Sequence, residues 1–220
     1  MPRASRFLDS SIGKKAVMAA TGIVLFGFVV VHMIGNLQVY LGPLAMNEYA
    51  LSLRELLHGA GIWIARVVLL ACVAVHIWAA VSLTIENRKA RPQGYRRRRW
   101  QESTYASRTM VWSGPILALF VVYHLLHLTT GTVHPNFVEG DVYHNFVAGF
   151  RVLPVSAFYM AAMLALGLHL HHGVWSMLQT LGLSHPRWNP LRQAFAGGIT
   201  AVVVIGNLSF PIAVLLGVLR

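Results

Sequence analysis

Long apolar runs alternate along the chain with short polar or basic ones, and the runs are too long for strands or ordinary core helices. A bilayer span needs about 20 consecutive, mostly apolar residues. Five stretches meet that length, at about 16–39, 59–85, 110–131, 154–180 and 197–219. They predict an all-α integral membrane bundle of five transmembrane helices, a single five-span domain over residues 1–220. The first run is longer than the ~7–15 apolar residues of a signal peptide, and no small-residue cleavage pattern follows it. It is therefore expected to remain as a span.

Composition supports this reading. Residues are 56% hydrophobic and only 11% charged, where a soluble domain carries about 25% charged residues. A soluble helical bundle is thereby disfavoured. The one cysteine, Cys72, sits in the second span. It forms no intrachain disulfide and cannot hold an iron–sulfur cluster, which takes about four thiolates.

The net charge of +11 matters less than where it lies. Arg3, Arg6, Lys14 and Lys15 precede the first span. Arg88, Lys89, Arg91, Arg96 to Arg99 and Arg108 link the second and third, and Arg187 and Arg192 link the fourth and fifth. The other two connections have only Arg54 and Arg151, and they carry Glu48, Glu55, Glu139 and Asp141. This bias predicts a multi-pass protein with its N-terminus in the cytoplasm and its C-terminus outside; the membrane is expected to be that of a bacterial cell. Between two spans, the RRRR run reads as a topology signal and lipid-headgroup contact, not as a nucleic-acid site. The basic face also suits docking of a soluble partner.

Histidine is the chemistry-bearing residue. Of eleven, His58, His134, His144 and His185 fall in connections. The spans hold His32 in the first, His76 in the second, His124 and His127 in the third, and His169, His171 and His172 in the fourth. A lone intramembrane histidine is explained by an interhelical hydrogen bond; one or more in each of four spans points to ligation. Depth sorts them. At 1.5 Å per residue, His32 and His124 lie roughly 26 and 24 Å from the basic side, and His76 and His169 roughly 15 and 18 Å. Two levels with two imidazoles each suit six-coordinate haem b, whose iron takes one ligand on each face. Zinc, which prefers about four ligands, fits poorly. A histidine proton relay in a transporter is the reading of a different class. Gly22, Gly27 and Gly35 in the first span would let a flat macrocycle approach the backbone, or simply serve helix packing.

The segments SSIGKKAVMAATGIVLFGFVVVHMIGNLQ, AVHIWAAVSL, VVYHLLHLTTG and GLHLHHGVWSMLQTLG, in that order, resemble the dihaem cytochrome b anchor of succinate dehydrogenases and fumarate reductases. The type resembled has one five-helix anchor polypeptide. The resemblance implies four axial ligands: His32 and His124 for an outer haem b, His76 and His169 for an inner one. His124 matches the family's histidine after an aromatic residue, with His127 the runner-up. His169 matches the position four residues before Gly173, Trp175 and Ser176. His172, at i+3, would contact a propionate or substitute as ligand, whereas His171 points away.

The resemblance further implies a flavoprotein partner with FAD and an iron–sulfur partner on the cytoplasmic face. Succinate electrons then pass to membrane quinone, as in the respiratory chain and tricarboxylic acid cycle, with menaquinone favoured over ubiquinone by analogy. The chain's own share is quinone reduction; it has no succinate chemistry. The same haem-binding design would serve the anchor of a hydrogenase or formate dehydrogenase. Glu48, Arg54, Glu55 and His58 cluster near the second span as candidates for the quinone site, since quinone reduction takes up protons. Arg66 would pair with a propionate or snorkel. Some family members carry a glutamate two residues before the fourth-span ligand; here that position is Gly167, which speaks against a proton path there. A higher oligomer of the complex is compatible with all of this.

Overall fold

A computed structural model describes residues 7–90 and 105–220. The arginine run and the other basic residues at 1–6 and 91–104 lie outside the described residues. Among the described residues seven α-helices follow in order: α1 (Ser11–Asn36), α2 (Pro43–Glu55), α3 (Ala60–Lys89), α4 (Tyr105–His124), α5 (Val142–Arg151), α6 (Leu153–Thr180) and α7 (Asn189–Leu215). No strand occurs among the described residues. Five of the helices (α1, α3, α4, α6 and α7, two of them extended by a short tighter or wider turn) are long and apolar enough to cross a membrane.

Burial is the reverse of a soluble core. Only 11% of the most apolar window is buried in each of the first three spans, against 28% and 33% in α6 and α7. Large side chains such as Trp63, Val67, Leu119 and Ile205 point outward, as lipid contact demands. α6 is the hub, packed against α4, α7 and more lightly α1, while α1 packs along α3. At the basic end Lys14 of α1 forms an ion pair with Glu86 of α3 and fixes their register.

The helices run further into the polar flanks than the apolar runs alone indicate. α1 starts at Ser11 because the Ser10 hydroxyl caps it, accepting from Gly13 N–H at 3.0 Å. α7 starts at Asn189, eight residues before the apolar run, with Pro190 in its first turn. It stops at Leu215, short of the expected 219, and Gly217 follows at φ 73°.

The two connections at the far end are not loops. The first contains α2 and the second α5. Their apolar faces pack with the ends of α6 and α7 into a cluster that includes Val39, Met46, Phe146, Phe150, Tyr159 and Phe210. Asp141 caps α5, accepting from His144 N–H at 2.9 Å and from Asn47 Nδ2 at 3.0 Å. Asn47 Oδ1 accepts from Tyr143 N–H at 3.0 Å, so one side chain of α2 clasps the start of α5. This cap covers the far end of the bundle.

Candidate functional site

Four of the five spans carry histidines, and the histidines that face one another lie on different helices. His32 (α1) and His124 (α4) have ring centroids 5.9 Å apart with planes at 87°. His76 (α3) and His169 (α6) are 6.3 Å apart at 56°. Neither α1 with α4 nor α3 with α6 is a closely packed helix pair. The imidazoles therefore meet across clefts, not across packed interfaces.

Three of the four rings are anchored through Nδ1 by a hydroxyl on another helix. His76 Nδ1 lies 3.1 Å from Thr21 Oγ1, His169 Nδ1 lies 3.4 Å from Ser113 Oγ, and His124 Nδ1 lies 3.4 Å from the Tyr159 phenol. A histidine whose Nδ1–H is held this way keeps Nε2 as the free lone pair. His32 stacks on Phe28, with centroids 5.2 Å apart and planes at 18°.

His127 sits in a different environment. A π-helical turn, Leu125–Thr129, follows α4, and Thr130 N–H reaches the Leu125 carbonyl at 2.9 Å. The wider turn swings His127 off the face of His124. Its ring is fully buried, stacked on His134 at 4.8 Å and on Tyr123 at 5.5 Å, and bonded through Nδ1 to Tyr159 at 3.0 Å. Its Nε2 has no partner. A Cβ on Gly149 would come within 3.0 Å of that atom, so backbone walls it in. His171 and His172 are half-buried in α6 and make no hydrogen bond among the described residues.

Among the described residues no three His, Cys, Asp or Glu side chains converge on a point that suits a metal ion. A four-ligand zinc site is not formed. Two imidazoles on one metal, each at about 2 Å, set ring centroids roughly 6 Å apart, as both pairs are. A Cβ on Gly114 or Gly173 would meet nothing within 4 Å, so open space lies beside α4 and α6; Gly27 also meets nothing, but it shares the outward face of α1 with the exposed Ile23, Val31 and Ile34. The donor set and this space would suit two haems, one held by each pair of imidazoles. Of the other first-span glycines, Gly22 faces the His76 ring, while a Cβ on Gly35 would strike the Tyr49 hydroxyl at 2.5 Å. Gly35 serves helix packing.

The quinone candidates are placed less tellingly. Glu48, Arg54 and Glu55 are exposed on α2, and His58 is exposed in the turn after it. They form no ion pair among the described residues. Arg66 lies over the Trp63 ring at 4.8 Å. A groove of about 680 Å³ opens at the basic end, lined by Thr84, Asn87, Arg88, Ala90 and Val111. A smaller one of about 270 Å³ at the far end is lined by Tyr123, Pro154, Val155 and Phe158.

Fold and site together define a multi-pass membrane protein with two facing histidine pairs inside its bundle. A family model described as the succinate dehydrogenase/fumarate reductase transmembrane subunit matches residues 86–206, more than half of the chain. The chain belongs to that family, the membrane subunits of an oxidoreductase complex. The matched stretch takes in His124 and His169; His32 and His76 lie before it. No curated protein and no solved structure matches the chain.

Proposed function

We propose that the protein is the dihaem cytochrome b anchor of a succinate:quinone oxidoreductase, carrying electrons from an iron–sulfur subunit to membrane quinone. The observation that carries this is the pair of facing imidazole couples, 5.9 and 6.3 Å between centroids, on four different spans. His76 and His169 would hold the inner haem, His32 and His124 the outer one. Walled-in His127 is the poorer ligand. A haem held by each pair would supply one-electron transfer.

The residues of this chain do the rest. Thr21, Ser113 and Tyr159 orient the ligands. The cap of α2 and α5 screens the outer pair from water. The charge bias sets the basic end in the cytoplasm, where Arg88, Lys89 and Arg108 offer a docking face to a flavoprotein with FAD and an iron–sulfur subunit. Menaquinone is the proposed acceptor.

Spectra of the purified complex test the reading. A pyridine haemochrome assay should return two haems b per chain, and a flavoprotein with succinate activity should co-purify. A complex without b-type bands overturns the haem assignment. Two haems with a hydrogenase or formate dehydrogenase as companion overturns the succinate assignment.

A further inference from the structure

His76 and His169 each meet an aliphatic hydroxyl. His124 meets a phenol, and that phenol has a second imidazole on it. Tyr159 Oη lies 3.4 Å from His124 Nδ1 and 3.0 Å from His127 Nδ1. Tyr159 is 6% exposed, and the edge-to-face rings of Phe120 and Phe150, at 5.1 and 4.9 Å, leave it little freedom to turn. His127 is 0% exposed. In the function proposed above Tyr159 orients His124, and His127 has no part.

The geometry points to Tyr159, backed by His127, as the positioning residue of the outer haem: the phenol oxygen holds His124 in the tautomer that leaves Nε2 free for iron. This rests on the haem reading. A phenol has one proton, so it donates to one of the two Nδ1 atoms and accepts from the other. With iron on Nε2, the neutral His124 ring carries its proton on Nδ1 and donates it to the phenol oxygen. The phenol proton then goes to Nδ1 of His127, whose own proton occupies Nε2, the buried atom beside Gly149. The opposite order would put a proton on His124 Nε2, where no iron could bind. His127 is thus the closed end of a relay that runs in one direction.

The consequence is electronic. An N–H donated to the phenol oxygen makes His124 a more basic ligand, which favours the oxidised iron and lowers its potential. His32, the opposite ligand, has no hydrogen bond on its ring among the described residues and stacks on Phe28. Among the described residues Tyr159 is then the one hydrogen-bond partner on either of these two rings.

Redox potentiometry on the complex, assembled with its partner subunits in native membranes, tests the proposal. Tyr159→Phe should retain both haems and shift one midpoint upward while the other stays. Ser113→Ala should move only the other. His127→Phe should keep both haems and move the same midpoint as Tyr159→Phe. Both haems bound with both midpoints unmoved in Tyr159→Phe overturns the proposal. If that variant does not accumulate, an unmoved midpoint in His127→Phe overturns it equally, as does loss of a haem there, which would make His127 the ligand. A wild-type complex without haem is a separate result: it removes the haem reading first and this inference with it.

Discussion

Thr21 Oγ1 in α1 lies 3.1 Å from His76 Nδ1 in α3, and the same oxygen lies 2.8 Å from the Val17 carbonyl oxygen. The carbonyl is an acceptor only, so the hydroxyl proton goes to Val17. The oxygen must then accept from His76 Nδ1–H. That assigns the tautomer of His76 and leaves the lone pair on Nε2, on a ring whose neighbour is His169.

Removing this bond should loosen the inner haem without unfolding the helix. Thr21→Val keeps the shape and loses the acceptor; such partners typically account for about 10–100-fold in affinity at a ligating histidine. Thr21→Ser should behave as wild type. Haem retained by each variant on detergent washing is the measurement. Equal retention by Val and wild type would show that Thr21 does not orient a ligand.

Truncating the ligands should sort them into two couples. His76→Ala and His169→Ala should each lose the same haem, and His32→Ala and His124→Ala the other. His127→Ala should keep both. Reduced-minus-oxidised spectra, with haem counted per chain, read this directly. A chain that loses a haem with His127→Ala but keeps both with His124→Ala would exchange their roles.

The sequence shows the couples because two simple rules suffice: about 20 apolar residues per span and 1.5 Å of rise per residue. Those rules place His32 level with His124 and His76 level with His169, and these are the rings that lie side by side. What they cannot show is anything that depends on rotation between helices. Thr21, Ser113 and Tyr159 are ordinary span residues until α3, α4 and α6 are docked against them. The π-helical turn after His124 has no marker in LLHLT, yet it is what separates His127 from His124. α2 and α5 were hidden for another reason. Each is short, 13 and 10 residues, and mixes polar with apolar side chains, so neither stands out from a loop by hydropathy. Pro43 at the first position of α2 and Asp141 at the cap of α5 were the signals available.

Gly149 should tolerate no side chain. Its added Cβ would stand 2.7 Å from His127 Cε1 and 3.1 Å from His134 Nε2, two rings stacked on each other and held by hydrogen bonds. Gly149→Ala should destabilise the far-end cap by about 1–3 kcal/mol, the usual cost of overpacking. Gly173→Phe, one turn after His169, makes the opposite case. Nothing lies within 4 Å of a Cβ there, so the fold should survive while haem binding falls. Thermal unfolding in detergent and haem content separate the two. Gly173→Phe with full haem would place the cofactor elsewhere.

Stability of the far-end cap should depend on pH through Asp141. Backbone N–H of His144 and then the Asn47 amide hold its carboxyl below the usual carboxylate range. A carboxyl whose pKa is lower folded than unfolded stabilises the folded state above its unfolded pKa, about 3.9. That contribution is lost as pH falls through the folded value. Asp141→Ala should therefore cost about 1 kcal/mol near neutral pH, as a lost helix cap does. Its deficit against wild type should shrink as pH falls below about 4. Asp141→Asn retains a capping oxygen, so its deficit should be smaller than that of Asp141→Ala at every pH, yet grow by the same amount across the carboxylate range, because neither variant carries the Asp141 charge. Thermal unfolding of the three proteins between neutral and acid pH decides the matter. An alanine deficit that stayed constant down to the lowest pH would mean that the cap is held by the packing of Phe146 and Phe150 alone, with no share from the Asp141 charge.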